Sequence, residues 1–244
     1  MARILITGSA DGLGQLAAKS LVDQGHQVVP HARNPERGRY AKQNIPGAEH
    51  VIIGDLSDID ETKRVAYEAN SLGHFDVVIH NAGVYDAPSS EIFQVNTLAP
   101  YILTCLIQKP KRLIYLSSDM HLHGRANLEN FNTGSNRISY SDSKLHVLML
   151  CMAVARKWSE VYSNAVDPGW VPTRMGGPHA PDDLQKGYET QTWLAVSDDS
   201  SARVSGRYFH HRAESRFNSQ ANDVMLQESF LRLCRDITDI AFPE

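Results

Sequence analysis

The sequence lacks a long hydrophobic run and an excess of positive charge. No apolar stretch approaches the about 20 residues that a membrane-spanning helix needs, and a strand pattern beginning at Ile4 leaves no room for a signal peptide. The formal net charge is -4 over 244 residues, with the Lys and Arg residues scattered along the chain. This argues against a nucleic-acid partner or a membrane partner. We expect a cytoplasmic protein.

Cysteine is also scarce, and the chain has no repeats, low-complexity runs or shifts in composition. The three cysteines are Cys105, Cys151 and Cys234. Their odd number, wide spacing and mostly apolar neighbours predict buried free thiols in a reducing compartment. With 42% hydrophobic residues and nothing to divide it, the chain is expected to form a single dinucleotide-binding catalytic domain over residues 1–244.

The residues that are present begin with a strand, a glycine-containing turn and a helix. Arg3–Ile6 has the pattern of a buried strand, three glycines fall within Thr7–Gly14, and apolar residues then recur at helical spacing up to Leu21. Glycines let the backbone turn tightly and approach a ligand, and a helix N-terminus offers amide donors to a phosphate. This context favours dinucleotide binding over a turn that is merely structural.

The end of the second predicted strand, Gln27–Ala32, bears on the choice of cofactor. No acidic residue stands there to bind the ribose hydroxyls of NAD, and Arg33 follows instead. An arginine at this place can pair with the 2′-phosphate of NADP. The alternative is that Arg33 is solvated surface, and Asp11 in the glycine turn would somewhat repel the extra phosphate. We expect NADP(H) to be preferred, with NAD(H) also possible.

The rest of the chain continues the alternation of strands and helices, which predicts an α/β fold with a mostly parallel, doubly wound sheet of the Rossmann type. About seven strands are expected. The remaining strands are predicted at His50–Ile53, Phe75–Ile79, Arg112–Leu116, Tyr162–Val166 and Arg207–His210, and helices at Ile59–Leu72, Ile92–Gln108, Leu184–Val196 and Val224–Ile240. An irregular stretch after Arg174 predicts a substrate loop or lid around residues 174–196.

Tyr140 and Lys144 are candidate catalytic residues. They lie one turn apart at the start of a helix whose buried face follows from Leu145, Leu148 and Met149. A phenol with a pKa of about 10 is a poor acid or base at neutral pH, but a neighbouring ammonium lowers that pKa. The pair therefore predicts a tyrosine acid and base, although this spacing also arises by chance on amphipathic helices.

Two further polar positions stand near this pair in the predicted fold. Ser117 and Ser118 follow the fifth strand, where hydroxyls face the crevice in which ligands bind. Asn96 lies within an apolar helix, so it is either a satisfied core residue or part of a site.

These motifs, taken in order, resemble the short-chain dehydrogenase/reductase family over roughly the whole chain. Thr7–Gly14 fits the glycine motif of the family, and Asn81–Gly83 fits its motif after the fourth strand. The catalytic residues that the resemblance implies are Asn96, Ser118, Tyr140 and Lys144. The cofactor-binding residues that it and the patterns above imply are Thr7, Gly8, Ser9, Gly12, Leu13, Gly14, Arg33, Asp55, Leu56, Asn81, Ala82, Gly83, Tyr140, Lys144, Pro168, Gly169, Val171 and Thr173.

The resemblance implies an NAD(P)-dependent oxidoreductase that interconverts a small carbonyl compound and its alcohol. Tyr140 would donate the proton, and Lys144 would depress its pKa and bond the nicotinamide ribose. Ser118 would hold the substrate oxygen, with Ser117 as the competing choice. Asn96 would support a proton relay through water. Two alternatives stay open: a non-catalytic dinucleotide-binding redox sensor, and a reductase of carbon-carbon double bonds.

The pattern departs from many family members in its details. Ser118 stands 22 residues before Tyr140, a long interval that resembles the branch of retinol dehydrogenases and protochlorophyllide reductases. The apolar anchor common in that branch is absent, so we expect a soluble relative with another substrate. The helix that holds Asn96 appears short, and the resemblance leaves homodimer and homotetramer open.

Several side chains have two interpretations. His121 and His123 either line the substrate pocket or lie on the surface, and Trp170, Met175 and Trp193 are either pocket walls or core residues. The histidine pairs, His121 with His123 and His210 with His211, have no cysteine or carboxylate cluster at ligand spacing. No metal site is therefore predicted.

Overall fold

The described residues, 1–128 and 138–243 of the computed structural model, build an eight-stranded sheet in the order β3-β2-β1-β4-β5-β6-β7-β8. Neighbouring strands are parallel except for the antiparallel pair β7 and β8. The strands are β1 (Arg3–Ile6), β2 (Gln27–Ala32), β3 (Ile52–Ile53), β4 (Val77–His80), β5 (Arg112–Leu116), β6 (Tyr162–Asp167), β7 (Arg207–His210) and β8 (Ala213–Glu214). The order reverses between β1 and β4, which is where ligands bind in such sheets.

Helices lie on both faces of this sheet. They are α1 (Gly12–Asp23), α2 (Pro35–Asn44), α3 (Ile59–Ser71), α4 (Ser89–Phe93), α5 (Ala99–Leu106), α6 (Tyr140–Lys157), α7 (Leu184–Val196) and α8 (Val224–Thr238). A π-helical turn, Gln94–Leu98, joins α4 to α5 without a break. Short 3₁₀ turns occupy Asp119–His123 and Ser219–Asn222.

The predicted fold class is confirmed, and the strands β1, β2, β5 and β7 and the helix α7 have the predicted bounds. The sheet has one strand more than expected, because β8 folds back on β7 through a turn in which His211 and Arg212 both take a left-handed conformation. The helix α2 was not predicted. Only Gly38 and Ala41 are buried along it, so it shows little hydrophobic periodicity.

The core consists of two apolar layers, one on each face of the sheet. One layer is covered by α3, α5, α6 and α8, and the other by α1 and α7. Since both faces are buried, the central strands are almost entirely apolar. The three cysteines are buried free thiols, as predicted.

The helix α6 starts at Tyr140 because Ser139 and Asp142 form a capping box. The Ser139 hydroxyl accepts from the amide of Asp142, and the Asp142 carboxylate accepts from the amide of Ser139. A second Asp142 oxygen accepts from the amide of Arg125, 2.7 Å away. These bonds place Tyr140 in the first turn of α6, beside the carboxyl ends of β5 and β6.

Candidate active site

A cleft of about 1070 Å³ opens at the carboxyl ends of β1, β2, β4 and β5. It extends from the turn after β1 to the first turn of α6. Most of the predicted cofactor-binding residues line it. They are Gly8, Gly12, Leu13, Gly14, Arg33, Asp55, Leu56, Asn81, Ala82, Gly83, Tyr140, Lys144, Pro168 and Thr173.

The glycine turn is tied to the end of β4 by side-chain hydrogen bonds. The Thr7 hydroxyl accepts from the amides of Asn81 and Ala82, each at 3.0 Å, and the Asn81 side chain donates to the carbonyls of Thr7 and Gly8. Thr7 and Asn81 thus hold two backbone segments in contact. These bonds explain why the glycine motif after β1 and the Asn81 motif after β4 occur in the same chain.

Gly14 lies where no side chain fits. A Cβ atom there would stand 2.4 Å from the Asn81 amide nitrogen and 2.8 Å from the Gly8 carbonyl oxygen. Gly14 is in the first turn of α1, whose amides face the cleft and whose N-cap residue, Asp11, makes no side-chain cap. Free amides and the positive end of a helix dipole suit the pyrophosphate of a dinucleotide.

Three predicted cofactor residues are not among those that line the cleft. Ser9 is buried, donates to the Ile6 carbonyl and accepts from the His31 amide. Val171 is buried against Gly187, and Gly169 packs against Asp182. These residues shape the cleft through the backbone.

The end of β2 lies near a second arginine that the sequence argument did not include. Arg33 is exposed and lines the cleft, as does Arg37 in the first turn of α2. Arg37 forms an ion pair with Asp11, so the repulsion expected from that carboxylate is reduced. Arg37 was missed because α2 was not predicted. Asn34 followed by Pro35 is a helix-start signal that would have revealed it.

His31 supports this end of the cleft and was not singled out from the sequence. Its Nδ1 accepts from the Gly8 amide at 3.1 Å, which fixes the proton on Nε2, and Nε2 then donates to the Gly54 carbonyl at 2.9 Å. Burial lowers the pKa of His31 to about 4. A neutral imidazole thus joins the glycine turn to the strand that precedes Asp55. One Asp55 oxygen accepts from the amide and hydroxyl of Ser57, which orients the carboxyl group.

Tyr140 and Lys144 meet at the other end of the cleft. The Lys144 ammonium lies 5.4 Å from the centre of the Tyr140 ring, and it donates to the Leu116 carbonyl at 2.8 Å. The ammonium is directed to that carbonyl, and its effect on the Tyr140 pKa stays a prediction. Burial raises the pKa of Tyr140, the nearby carboxylates of Asp167 and Asp119 raise it further, and a hydrogen bond with Ser118 opposes them. Burial also lowers the pKa of Lys144 to about 8.

The two candidate serines have different surroundings. Ser117 is buried, and its hydroxyl donates to the Lys144 carbonyl, 2.9 Å away. The Ser118 hydroxyl lowers the pKa of Tyr140 and accepts from the Met120 amide at 3.3 Å. Ser117 lines the cleft and fastens α6 to β5. The choice of serine that holds a substrate oxygen stays a prediction.

Asn96 lies in the π-helical turn, and protein partners occupy its amide. Its oxygen accepts from the Val84 amide at 2.8 Å, and its nitrogen donates to the Val84 carbonyl and the Ser143 hydroxyl. A Cβ atom on Gly83 would stand 3.3 Å from both Asn96 Oδ1 and Lys144 Nζ. Asn96 therefore fixes the segment after β4 against α6. A water relay through it remains a prediction.

The histidine and tryptophan candidates lie in different surroundings in the structure. His121 is buried away from the cleft. Its Nδ1 lies 2.5 Å from the Ser118 carbonyl, and its Nε2 accepts from the Asn218 amide. His123 is exposed. Trp193 packs on Phe209 on the α7 side of the sheet, so its interpretation as a pocket wall is wrong.

The mouth of the cleft beside Tyr140 is partly apolar. Met175 lines it, and Tyr85 lines it with its ring edge-on to Tyr140, the ring centres being 4.8 Å apart. Trp170 is exposed, and its indole donates to the Gly176 carbonyl. Tyr85 was missed from the sequence. The loop between Ser118 and Tyr140 includes residues 129–137, which lie outside the described part of the chain.

Within residues 1–128 and 138–243, no group of three or more metal-ligating side chains is present. No helix in the same ranges has the length and hydropathy to cross a bilayer.

Solved structures with this fold include several nicotinamide complexes. A crystal structure of an uncharacterized protein from Mycobacterium paratuberculosis is 24% identical, with a TM-score of 0.84, covering 100% of this chain and 96% of that one. A blue fluorescent protein from a metagenomic library, solved with NADPH, is 19% identical, with a TM-score of 0.71 and coverage of 85% and 95%. At these identities the likeness supports the fold.

The sequence comparisons identify the family. A model described as short chain dehydrogenase matches residues 2–109. An uncharacterized oxidoreductase of Emericella nidulans is 45% identical over 100% of this chain and 99% of its own length, and the short-chain dehydrogenase chyC of Penicillium rubens is 39% identical over 100% of both. Retinol dehydrogenase 14 of Mus musculus is 27% identical over 97% of this chain and 84% of its own. The chain belongs to the short-chain dehydrogenase/reductase family of oxidoreductases, as the motifs predicted.

Proposed function

We propose that the protein reduces a carbonyl compound to its alcohol with NADPH, and that Tyr140 is the proton donor. The observation that carries this proposal is the meeting of Tyr140 and Lys144 at one end of the cleft whose other end is the glycine turn. Ser117 lines this end, and Ser118 is the next residue along the chain. Gly8, Gly14 and the amides of α1 would hold the pyrophosphate. The nicotinamide, when bound, supplies the hydride.

The protonation states assign the two groups their parts in the reduction. The Tyr140 phenol carries a proton at neutral pH, and because burial raises its pKa, release of that proton depends on stabilisation of the phenolate. Lys144 carries its charge below about pH 8, where it stabilises the phenolate that forms as the proton leaves. As the pH rises through that value the ammonium is lost, so reduction is expected to slow on the alkaline side.

The other side chains position the reacting groups. Ser118 would hold the carbonyl oxygen near the Tyr140 hydroxyl, and Asn96 keeps the segment after β4 against Lys144 through its bonds to Val84 and Ser143. A proton transferred by a positioned side chain accelerates a reaction by roughly 10²–10⁴-fold. The substrate partner is a small molecule with an aldehyde or ketone group.

The preference for NADPH rests on the positive charge at the end of β2. Arg33 and Arg37 both line the cleft, and the N-terminus of α2 begins between them at Pro35. Two guanidinium groups and a helix N-terminus form a site for a phosphate monoester. Two proteins of similar fold have been solved in complex with NADPH and with NADP.

The test is the dissociation constant of NADPH beside that of NADH, measured by fluorescence titration at fixed ionic strength for the wild type and Arg33→Ala. We expect NADPH to bind more tightly to the wild type, and Arg33→Ala to weaken NADPH about tenfold, a change of about 1.4 kcal/mol, with NADH unaffected. Arg39→Ala is the matched control, because Arg39 is an exposed arginine of α2 that is not among the residues lining the cleft. Unchanged NADPH affinity in Arg33→Ala would contradict the phosphate assignment.

A further inference from the structure

Lys144 is a buried cation that donates a hydrogen bond to an uncharged group. Only 5% of the residue is exposed, and its ammonium donates to the Leu116 carbonyl. A carbonyl satisfies a hydrogen bond but does not balance a charge, and a buried charge is costly unless an opposite charge lies near it. The function proposed above needs Lys144 charged, so a counter-charge is required.

The sheet places one carboxylate next to this position. Leu116 at the end of β5 pairs with Val166 on β6, and the Ser117 amide donates to the Val166 carbonyl at 2.8 Å. Asp167 is the next residue along β6. Neighbouring strands lie about 4.8 Å apart, so Asp167 stands beside the carbonyl that Lys144 contacts.

The Asp167 side chain is on the α6 face of the sheet. Residues two apart on a strand share a face, and Ala165 packs in the apolar layer under α6. Asp167 is 6% exposed, and one of its oxygens accepts from the Gly169 amide at 2.9 Å. The other oxygen lies 3.1 Å from His210 Nδ1, without hydrogen-bond geometry.

We propose that the Asp167 carboxylate is the counter-charge of the Tyr140–Lys144 pair and acts as a positioning residue for the reaction, an inference that rests on the proposed function. Its negative charge stabilises the ammonium of Lys144, and that ammonium in turn stabilises the phenolate that forms when Tyr140 gives up its proton. The carboxylate thus acts on the reaction through Lys144. The electrostatic shift has the same direction, because Asp167 raises the pKa of Lys144 against burial.

Other titratable groups face Asp167 from three elements. They are Tyr140 and Lys144 on α6, His121 in the turn after β5, and Tyr208, His210 and His211 on β7 and its turn. The His210 side chain is 39% exposed, so water screens its charge. His121 is held by the Ser118 carbonyl and the Asn218 amide. Lys144 is thus the buried cation on which removal of the Asp167 charge acts most strongly.

Asp167→Asn tests the inference because it removes the charge and keeps an oxygen for the Gly169 amide. We expect the alkaline midpoint of NADPH affinity, and of kcat/KM with any aldehyde or ketone that the wild type reduces, to fall by about one pH unit. At pH 8 kcat/KM would then be about fivefold below the wild type, and at pH 6 within about twofold. Asp198→Asn, whose side chain is 96% exposed, is the matched control and should keep the wild-type midpoint.

Two further variants separate the possible outcomes. Lys144→Met should abolish the alkaline step in NADPH affinity, which identifies the step as the titration of Lys144. Asp167→Ala also loses the bond to Gly169 and should weaken NADPH at every pH. A wild-type midpoint in Asp167→Asn, with the step absent in Lys144→Met, would overturn the inference and leave the proposed function intact. A step that persists in Lys144→Met would also overturn the inference, because a group other than Lys144 would then produce it.

Discussion

The two ends of the cleft are built in different ways. The cofactor end is the glycine turn after β1, and the catalytic end is the region of Tyr140 and Lys144. At the cofactor end, backbone segments contact each other directly, with Gly8 against Ala82 and Gly14 against Asn81. At the catalytic end, hydrogen bonds between side chains and backbone groups far apart in the sequence set the geometry, as from the Asn218 amide to the His121 ring. Backbone contact requires particular small residues at fixed spacing, whereas side-chain contact can be made by many residue types. The cofactor end is therefore specified locally and the catalytic end by the whole fold.

The largest expected effect comes from removing the proton donor at the catalytic end. Tyr140→Phe keeps the ring and removes the hydroxyl, so we expect kcat to fall by roughly 10²–10⁴-fold with the NADPH dissociation constant within about twofold of the wild type. Steady-state kinetics and fluorescence titration measure the two quantities. Tyr67→Phe, an exposed tyrosine on α3, is the control. Full activity in Tyr140→Phe would refute the assignment.

A smaller effect is expected from disturbing the cofactor end. In Gly14→Ala the added methyl group would collide with the Gly8 carbonyl and the Asn81 side chain. We expect NADPH to bind at least about tenfold more weakly and the protein to lose about 1–3 kcal/mol of unfolding free energy. Gly25→Ala is the comparison, because Gly25 has a φ of +81° and no neighbour within 4 Å. That variant should lose stability alone, and equal NADPH loss in both would contradict the contact argument.

The smallest effect is expected where a positioning contact of the catalytic end is removed. His121→Gln breaks the link between the Ser118 carbonyl and the Asn218 amide, two partly buried groups. We expect a loss of about 1–3 kcal/mol in unfolding free energy, a several-fold lower kcat/KM and unchanged NADPH affinity. Chemical denaturation and kinetics provide the measurements. The control variant is His123→Gln, because His123 is exposed. A weaker NADPH affinity in His121→Gln alone would contradict the division between the two ends.

The same division explains what the sequence predicts. Thr7, Asn81 and the glycines were found because local backbone geometry restricts their identity. The helix α2 escaped prediction because it is polar almost all round, and with it Arg37 was missed. The turn at His211 and Arg212 has left-handed residues without the glycine or asparagine that usually marks one.

The surroundings of Tyr140 escaped prediction for a different reason. Spacing placed Lys144 one turn away, but spacing does not say where an ammonium points. In the structure the ammonium contacts the Leu116 carbonyl, and burial has the largest effect on the pKa of both groups. Asp167 has no sequence signal of its own beyond standing before Pro168. Its role depends on the register between β5 and β6, which sequence patterns do not reveal.

The most direct test of carbonyl reduction is the fate of a deuteride carried on NADPH. Purified protein would be incubated at pH 7 with cofactor deuterated at the transferring position and a panel of aldehydes, ketones and unsaturated ketones, and the products analysed by mass spectrometry. We expect an alcohol with deuterium on its carbinol carbon, formed by the wild type and lost in Tyr140→Phe. A saturated ketone with deuterium on a former double-bond carbon, or NADPH binding without any transfer, would contradict this function.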